Sequence, residues 1–409
     1  MKKTIITLTL AVCAILSKAQ GIDFEPSSLD LALKKAKLEN KYILIDAYAT
    51  WCSPCKLMNN SVFPIKSVGD FINTKFISIQ IQTDQTNKDN ELVKSRYLDA
   101  KYVVSNYGIL AYPTILFLSP DGKLVHRAIG FMSEQTLITV CKEALNYDTQ
   151  IYTQYGLFKK GKSDTAFLKR LAIQANRVGD TGIAEAVSAR FFSSLKKEEL
   201  YKEHNLIFAY QFTKRSNDRY FNVFLKQSKK VNSILRVGTA EGKAKDIIIA
   251  EEITPRSKKD SEADWRSIEN TVKKKYGALG LEALYGERLA YSSDKKNWVD
   301  YAKYYKLYYN TALGRSRYSI NVMSWIIFEN VKEKCAIDAA VIAMKYSIDH
   351  FDRTDGAAYD TYANLLYKAG RREEAIVWQQ KAVQLSPANK EIEENLEKMK
   401  RSEPTWVIQ

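Results

Sequence analysis

The first 150 residues alternate between short apolar runs and helical patterns. Tyr42–Tyr48 and Thr114–Leu118 are apolar and rich in strand-forming residues, while Phe76–Gln82 alternates apolar with polar side chains, so a strand is predicted at each. Apolar residues recur at helical spacing before and between these strands. A Pro-Asp-Gly turn leads into a fourth strand at 124–129, and a last helix closes the segment near residue 148. The predicted order, α-β-α-β-α-β-β-α, indicates an α/β domain.

From residue 150 onward the strand pattern fades, and apolar-periodic helices follow one another between short breaks. A repeat signal closes the chain, carried by Tyr359, Ala363, Ala375, Ala382 and Pro387. Its spacing resembles the tetratricopeptide repeat, a helix–turn–helix unit of about 34 residues, which we place at about 356–389. A polar stretch at about 254–263 predicts an exposed loop or a linker. We expect an α/β domain at 20–148 and an all-α helical-repeat domain at 149–409.

Residues 1–19 have the pattern of a secretory signal peptide. Two lysines precede an apolar run that ends at Leu16, and a small-x-small site precedes Gln20. A lipoprotein signal at Cys13 fits less well, because the residue before it is valine. No later stretch approaches the length of a membrane span. We expect an exported protein, periplasmic or in the cell envelope, without stable membrane insertion.

The formal charge of +15 is unevenly distributed. Residues 20–148 hold 14 basic and 14 acidic side chains, whereas 149–409 hold 45 basic and 33 acidic ones. The basic residues of the second half are mixed with acids, and no Arg-rich or aromatic nucleic-acid module accompanies them. We therefore expect no nucleic-acid partner, and we expect any charge-driven choice of a partner to lie in the helical half.

Four cysteines follow the predicted signal peptide, and only Cys52 and Cys55 are close in sequence. So few cysteines do not form a disulfide framework. Cys141 lies on an apolar helical face and Cys335 in a helical repeat, so both are predicted to be buried packing residues. The histidines are isolated, which predicts no metal site, and His126 is predicted at the surface of a strand.

The Cys-x-x-Cys motif of Cys52 and Cys55 stands where a strand is predicted to give way to a helix. At a helix N-terminus, unpaired amides and the helix dipole stabilise a thiolate. That thiolate can attack a disulfide, and a second cysteine one turn later can resolve the mixed disulfide. A structural disulfide and half of a metal site are the alternatives. A four-residue loop is a poor staple, however, and a metal would need two further ligands.

Residues 41–145 resemble the thioredoxin family. Besides the two cysteines, the likeness rests on Asp46, Trp51, Tyr112, Pro113, Thr114 and Gly130. Asp46 stands six residues before Cys52, at the family's buried-acid position, and Tyr112-Pro113-Thr114 matches its cis-proline loop. The resemblance implies a thioredoxin fold for this segment, which gives the fold class of the chain as an α/β thioredoxin fold followed by helical repeats.

The same resemblance implies a role for each matched residue. Cys52 would be the nucleophile and Cys55 the buried resolving thiol. Asp46 would accept the Cys55 proton, directly or through water, with a pKa raised by its apolar setting. The residues expected to contact substrate are Trp51, Tyr112, Pro113 and Thr114, with Pro113 cis. Ser53 and Pro54 would shape the motif, and no cofactor or metal is implied.

Departures from thioredoxin itself refine the expected function. Ser53 stands where thioredoxin has glycine, while Pro54 is retained, as in the reducing members. The stretch from Cys55 to Pro113 is longer than in thioredoxin and is more similar to the soluble terminal domain of the thiol:disulfide interchange protein. This favours an exported protein-disulfide reductase or isomerase over an oxidase, without fixing the redox direction.

Two functions remain open for the whole chain. In the first, the dithiol reduces or exchanges protein disulfides with electrons from another redox protein, and the helical domain binds a protein partner. In the alternative, the helical repeats form an interaction protein, and the thioredoxin-like domain is a redox sensor or a docking module.

Overall fold

The structure is a computed structural model and describes residues 21–257, 261–316 and 318–406. The chain divides into two compact units, of which the first ends at Leu195 and the second begins at Lys196. The predicted signal peptide, with Cys13, lies outside the described residues and stays a prediction. No helix in the described ranges has the length and apolar character that crossing a membrane requires.

A four-stranded mixed sheet forms the centre of the first unit. Its strands are β1 (Tyr42–Tyr48), β2 (Phe76–Gln82), β3 (Thr114–Leu118) and β4 (Leu124–Ile129). The sheet order is β2-β1-β3-β4, with β1 parallel to β2 and antiparallel to β3, and β3 antiparallel to β4. The helices around it are α1 (Leu29–Glu39), α2 (Ser53–Ser61), α3 (Lys66–Lys75), α4 (Glu91–Ser95), α5 (Tyr97–Tyr107) and α6 (Glu134–Leu145). The predicted α/β thioredoxin fold is confirmed.

Both faces of this sheet are buried, and successive side chains along each strand point alternately into the two cores. Leu44 of β1 and Phe117 of β3 join the core under α2, α3 and α6, while Ile45 of β1 and Leu116 of β3 join the core under α1 and α5. A central strand buried on both faces must be apolar at nearly every position. The polar Asp46 in the middle of β1 is therefore an exception that needs an explanation.

Three further helices belong to the first unit: α7 (Ile151–Lys159), α8 (Thr165–Arg177) and α9 (Thr181–Ser194). The start of α7 covers β4, where the Ile151 N–H donates to Nδ1 of His126 at 3.3 Å. His126 is fully buried, so its predicted surface position is wrong. Cys141 of α6 is buried, as predicted.

The secondary structure of the second unit, within its described residues, is made of helices joined by loops, which agrees with the predicted run of helices after residue 149. Its elements are a 3₁₀ turn (Lys197–Tyr201), α10 (Glu203–Phe212), α11 (Phe221–Lys226), α12 (Ser228–Ile234), α13 (Thr239–Ile248), a π-helical turn (Ile249–Ile253), α14 (Thr254–Ser257), α15 (Glu262–Asp294), α16 (Trp298–Ala312), a 3₁₀ turn (Leu313–Arg315), α17 (Ile320–Asn330), α18 (Lys334–His350), α19 (Gly356–Lys368), α20 (Arg372–Leu385) and α21 (Lys390–Lys400). The predicted loop at 254–263 is wrong where α14 and the start of α15 lie.

The last helical hairpin, α19 and α20, turns at Gly370, whose φ of 83° lies in the left-handed region that glycine adopts freely. Ala363, Ala375 and Ala382 are fully buried in these two helices. Small residues at such points let two helices approach closely, as the repeat pattern requires. The assignment of this hairpin to the tetratricopeptide family stays a prediction.

Candidate functional site

Cys52 occupies the N-cap of α2, and Pro54 lies in the first turn of that helix. The Cys55 N–H donates to the Cys52 sulfur at 3.1 Å, so one of the free amides of the helix end already points at this atom. The Thr50 N–H just before the motif donates to Oδ1 of Asp84 at 2.9 Å. The sequence therefore places the first sulfur at the positive end of a helix.

Cys52 and Cys55 form a disulfide. Both residues are largely buried and form a small apolar cluster with Ala49, against which Tyr48 and Tyr112 pack. The Trp51 ring stands beside them, 69% exposed, with its centroid 5.6 Å from that of Tyr112 in an edge-to-face contact. Two aromatic side chains thus frame the surface next to the disulfide.

The segment 109–113, which we call the active-site loop, reaches the disulfide through Tyr112. Its Tyr112–Pro113 peptide is cis, as expected. The Gly130 N–H donates to the Pro113 carbonyl at 2.8 Å, and the Thr114 hydroxyl donates to the Ala111 carbonyl at 2.7 Å. The buried Thr114 side chain thus holds the loop, and its role toward substrate stays a prediction.

Asp46 is the buried acid of the site. Asp46 is only 3% exposed, and this burial raises the pKa of its carboxyl from 3.8 to about 6. A hydrogen bond from Gln80 acts in the opposite direction and lowers the pKa. The Gln80 amide nitrogen donates to Asp46 Oδ2 at 3.1 Å and to Asn59 Oδ1 at 3.2 Å, while Asp46 Oδ1 has no partner among the described residues. A carboxyl with this pKa can exchange a proton near neutral pH.

A cavity of about 270 Å³ lies between Asp46 and Cys55. Asp46, Cys55, Asn59 and Gln80 are among the residues that line it. Carboxyl and amide groups contribute to its lining and its volume is large enough for water, so a proton can pass between Cys55 and Asp46 through solvent. The geometry suits the role that the family resemblance implies for Asp46.

The structure brings the predicted site residues together around Cys52 and Cys55, with Ser53 and Pro54 exposed at the start of α2. Sequence reasoning missed Gln80, Asn59 and Asp84. Gln80 lies directly opposite Asp46 in the β1–β2 register, so a polar residue on the strand next to the acid was the available signal. Within the described ranges, no group of three His, Cys, Asp or Glu side chains is placed to hold a metal ion.

Thiol–disulfide exchange is the chemistry that this arrangement can carry, and the fold around it is that of thioredoxin. A family model described as "Thioredoxin-like domain" matches residues 29–145. The thioredoxin of Mycoplasmoides gallisepticum is 31% identical over 103 residues, which are 25% of this chain and 84% of that protein. The chain therefore belongs to the thioredoxin family.

Two other relatives match a similar length of this chain. The thiol:disulfide interchange protein DsbD of Vibrio cholerae is 32% identical over 115 residues, 27% of this chain and 17% of that protein. Thioredoxin Y of Oryza sativa is 29% identical over 119 residues, 29% of this chain and 58% of that protein. Because the chain spans only a minor part of DsbD, the activity of DsbD as a whole is not carried over.

Replacing Gln80 by leucine is expected to raise the pKa of Asp46 above 6, because the buried carboxylate loses its hydrogen-bond donor. The measurement is the free energy of unfolding of the first unit as a function of pH, and in particular the pH at which this free energy stops falling as the pH rises. That pH should be higher in Gln80→Leu and unchanged in Asn59→Ala, which leaves the Gln80–Asp46 hydrogen bond intact. An unchanged pH in Gln80→Leu would show that the amide does not act on the acid.

Proposed function

We propose that the chain is an exported thiol–disulfide oxidoreductase that reduces or exchanges protein disulfides. The observation that carries the proposal is the position of Cys52, at a helix N-terminus, between an exposed Trp51 and the active-site loop. Peripheral support comes from Asp46, which can take a proton from Cys55. The proposed export rests on the signal-peptide pattern of residues 1–19.

The reaction begins from the reduced pair. The Cys52 thiolate attacks one sulfur of a substrate disulfide, whose second sulfur leaves as a thiolate and takes up a proton. Cys55 then gives its proton to Asp46, directly or through water, and attacks the Cys52 sulfur. The bond between Cys52 and the substrate breaks as the Cys52–Cys55 disulfide forms, and the substrate leaves with both of its sulfurs reduced. Two electrons have passed from the protein to the substrate.

Each such turnover leaves the Cys52–Cys55 pair oxidised, so a further turnover needs two electrons from outside. We propose that another redox protein supplies them. The helical unit is proposed to bind a protein partner. It has a cleft of about 910 Å³ whose lining includes the exposed apolar side chains of Ile207, Tyr210, Val237 and Phe351.

Trapping of mixed disulfides tests the proposed function. A Cys55→Ala variant of the full chain should accumulate adducts with cellular proteins on acid quenching, because Cys52 can attack but no second thiol releases the substrate. All variants should carry Cys335→Ala, since that thiol is exposed. A Cys52→Ala variant, which keeps Cys55, is the matched control and should yield none. Equal adducts in both variants would refute the assigned nucleophile.

A further inference from the structure

Arg127 of β4 anchors the start of the active-site loop. Its guanidinium donates to the Tyr107 carbonyl at 2.7 Å and to the Gly108 carbonyl at 3.4 Å, at the end of α5. Gly108 has a φ of 58°, so the chain turns there from the helix into the loop. The far end of the loop is held by the hydrogen bond from Gly130 to Pro113. Both anchors therefore lie on β4 or directly after it.

The helices α7–α9 hold the guanidinium of Arg127. Asp180 Oδ2 lies 3.9 Å from Arg127 Nε, and the Tyr152 ring centroid lies 5.3 Å from its central carbon. The Tyr152 hydroxyl donates to the same Asp180 oxygen at 2.8 Å. The side chains of Arg127 and Asp180 are only 11% and 17% exposed, so solvent screens their attraction weakly.

The turn between α8 and α9 packs closely against β4. Gly179 in this turn has a φ of 79°, and a Cβ at this position would lie 2.9 Å from Cδ1 of Ile129. Asp180, the next residue, caps α9 by accepting from the Ile183 N–H at 3.2 Å. The carboxylate that faces Arg127 is thus fixed by its own helix and by the close approach of the turn.

We propose that Arg127 is a positioning residue for the active-site loop and that Asp180 and Tyr152 hold it in that position. The catalytic part of this inference rests on the proposed disulfide exchange. It assigns helices α7–α9 to the catalytic unit, because they fix the loop that flanks Cys52. A polypeptide substrate that lies along the loop then depends on these helices, whereas a small disulfide that meets only the sulfurs does not.

The test compares Arg127→Met and Asp180→Asn in the full chain. The first variant removes the donors to the loop, and the second removes the charge but keeps an oxygen to cap α9. Arg177→Met is the matched control, because it also removes an arginine that pairs with a carboxylate, in this case Glu143 of α6 at 2.6 Å from Arg177 of α8. Hydrogen exchange of the loop amides, and turnover with a protein disulfide and with a small aromatic disulfide, are measured for each.

Both test variants are expected to raise the exchange rate of the loop amides about tenfold, while exchange in β1 stays unchanged. The KM for the protein disulfide should rise about tenfold, with kcat and the rate toward the small disulfide unaltered. Arg127→Lys should show a smaller rise in KM than Arg127→Met, and Arg177→Met should have the KM of the parent.

Loop exchange equal to that of the parent in Arg127→Met and Asp180→Asn would overturn the inference, whether or not the parent reduces disulfides. Faster exchange throughout the sheet would also overturn it, since it would mark a general loss of folding. If the loop alone exchanges faster in a chain that reduces no disulfide, the positioning role stands and only the proposed function fails.

Discussion

A Cys52→Ser variant of the full chain is expected to lose reduction of insulin disulfides by at least about a thousandfold. A serine hydroxyl is not ionised near neutral pH, so the N-cap position of α2 no longer carries a group that can attack a substrate disulfide. The measurement is the initial rate above the uncatalysed background, with dithiothreitol as the electron source. A variant that keeps more than a tenth of the parent rate would show that another group carries the reaction.

Two controls separate lost chemistry from lost folding. Cys335→Ser removes the exposed thiol of the second unit and should leave the rate unchanged. Cys55→Ser also prevents the Cys52–Cys55 disulfide, yet it keeps the attacking sulfur. It should therefore still form a mixed disulfide in a single encounter while losing turnover. A loss of that first step as well would place the nucleophile elsewhere.

The second large effect is on stability. Asp46→Asn is expected to raise the free energy of unfolding of the first unit by about 3 kcal/mol above pH 7. Burial raises the pKa of Asp46 from 3.8 to about 6, so the folded state holds a proton that the unfolded state releases between these values. The cost of the buried charge is complete above about pH 7 and becomes small below about pH 4. The advantage of the variant should follow the same pH range.

Urea-dependent hydrogen exchange of the β1 and β3 amides in the full chain reports this difference, and Asp84→Asn serves as a control outside the cavity.

The same Asp46→Asn substitution should slow resolution of the mixed disulfide by about a hundredfold, because Cys55 loses its proton acceptor. A variant that is more stable but equally fast would leave Asp46 as a buried charge without a part in the reaction. If Asp46→Asn and the parent were equally stable at both pH 4 and pH 8, burial would impose no cost on the ionised carboxyl.

The strands were predictable because each is a short run bounded by clear breaks. Apart from Asp46 and Thr114, the segments Tyr42–Tyr48 and Thr114–Leu118 consist of apolar and aromatic residues, and the structure places strands at these same bounds. The helical spacing found between the strands was correct in type, but between β2 and β3 the structure forms two helices, α4 and α5, divided at Arg96. Arg96 turns its side chain inward to donate to the Ser27 and Gln80 carbonyls. Such a tertiary contact leaves no periodic trace in the sequence.

The proposed reacting residues, Asp46, Cys52 and Cys55, were predictable because they match the family motif and are close together in sequence. Gln80 and Arg127 were not, because each acts on a group far away in sequence through strand register or helix packing. His126 was placed wrongly for the same reason, since a polar residue on a strand gives no sign that a later helix covers it. Cys335 was also predicted buried and is exposed, with the Lys306 amine 3.2 Å from its sulfur.

The reduction potential of the Cys52–Cys55 pair distinguishes a working dithiol from a structural disulfide. The full chain is equilibrated in glutathione buffers of graded ratio, and the oxidised fraction is measured after acid quenching and alkylation. A working dithiol of the reducing kind should titrate as a two-electron couple between about −180 and −270 mV. A pair that stays oxidised to below about −300 mV would be a structural disulfide, which would contradict the account.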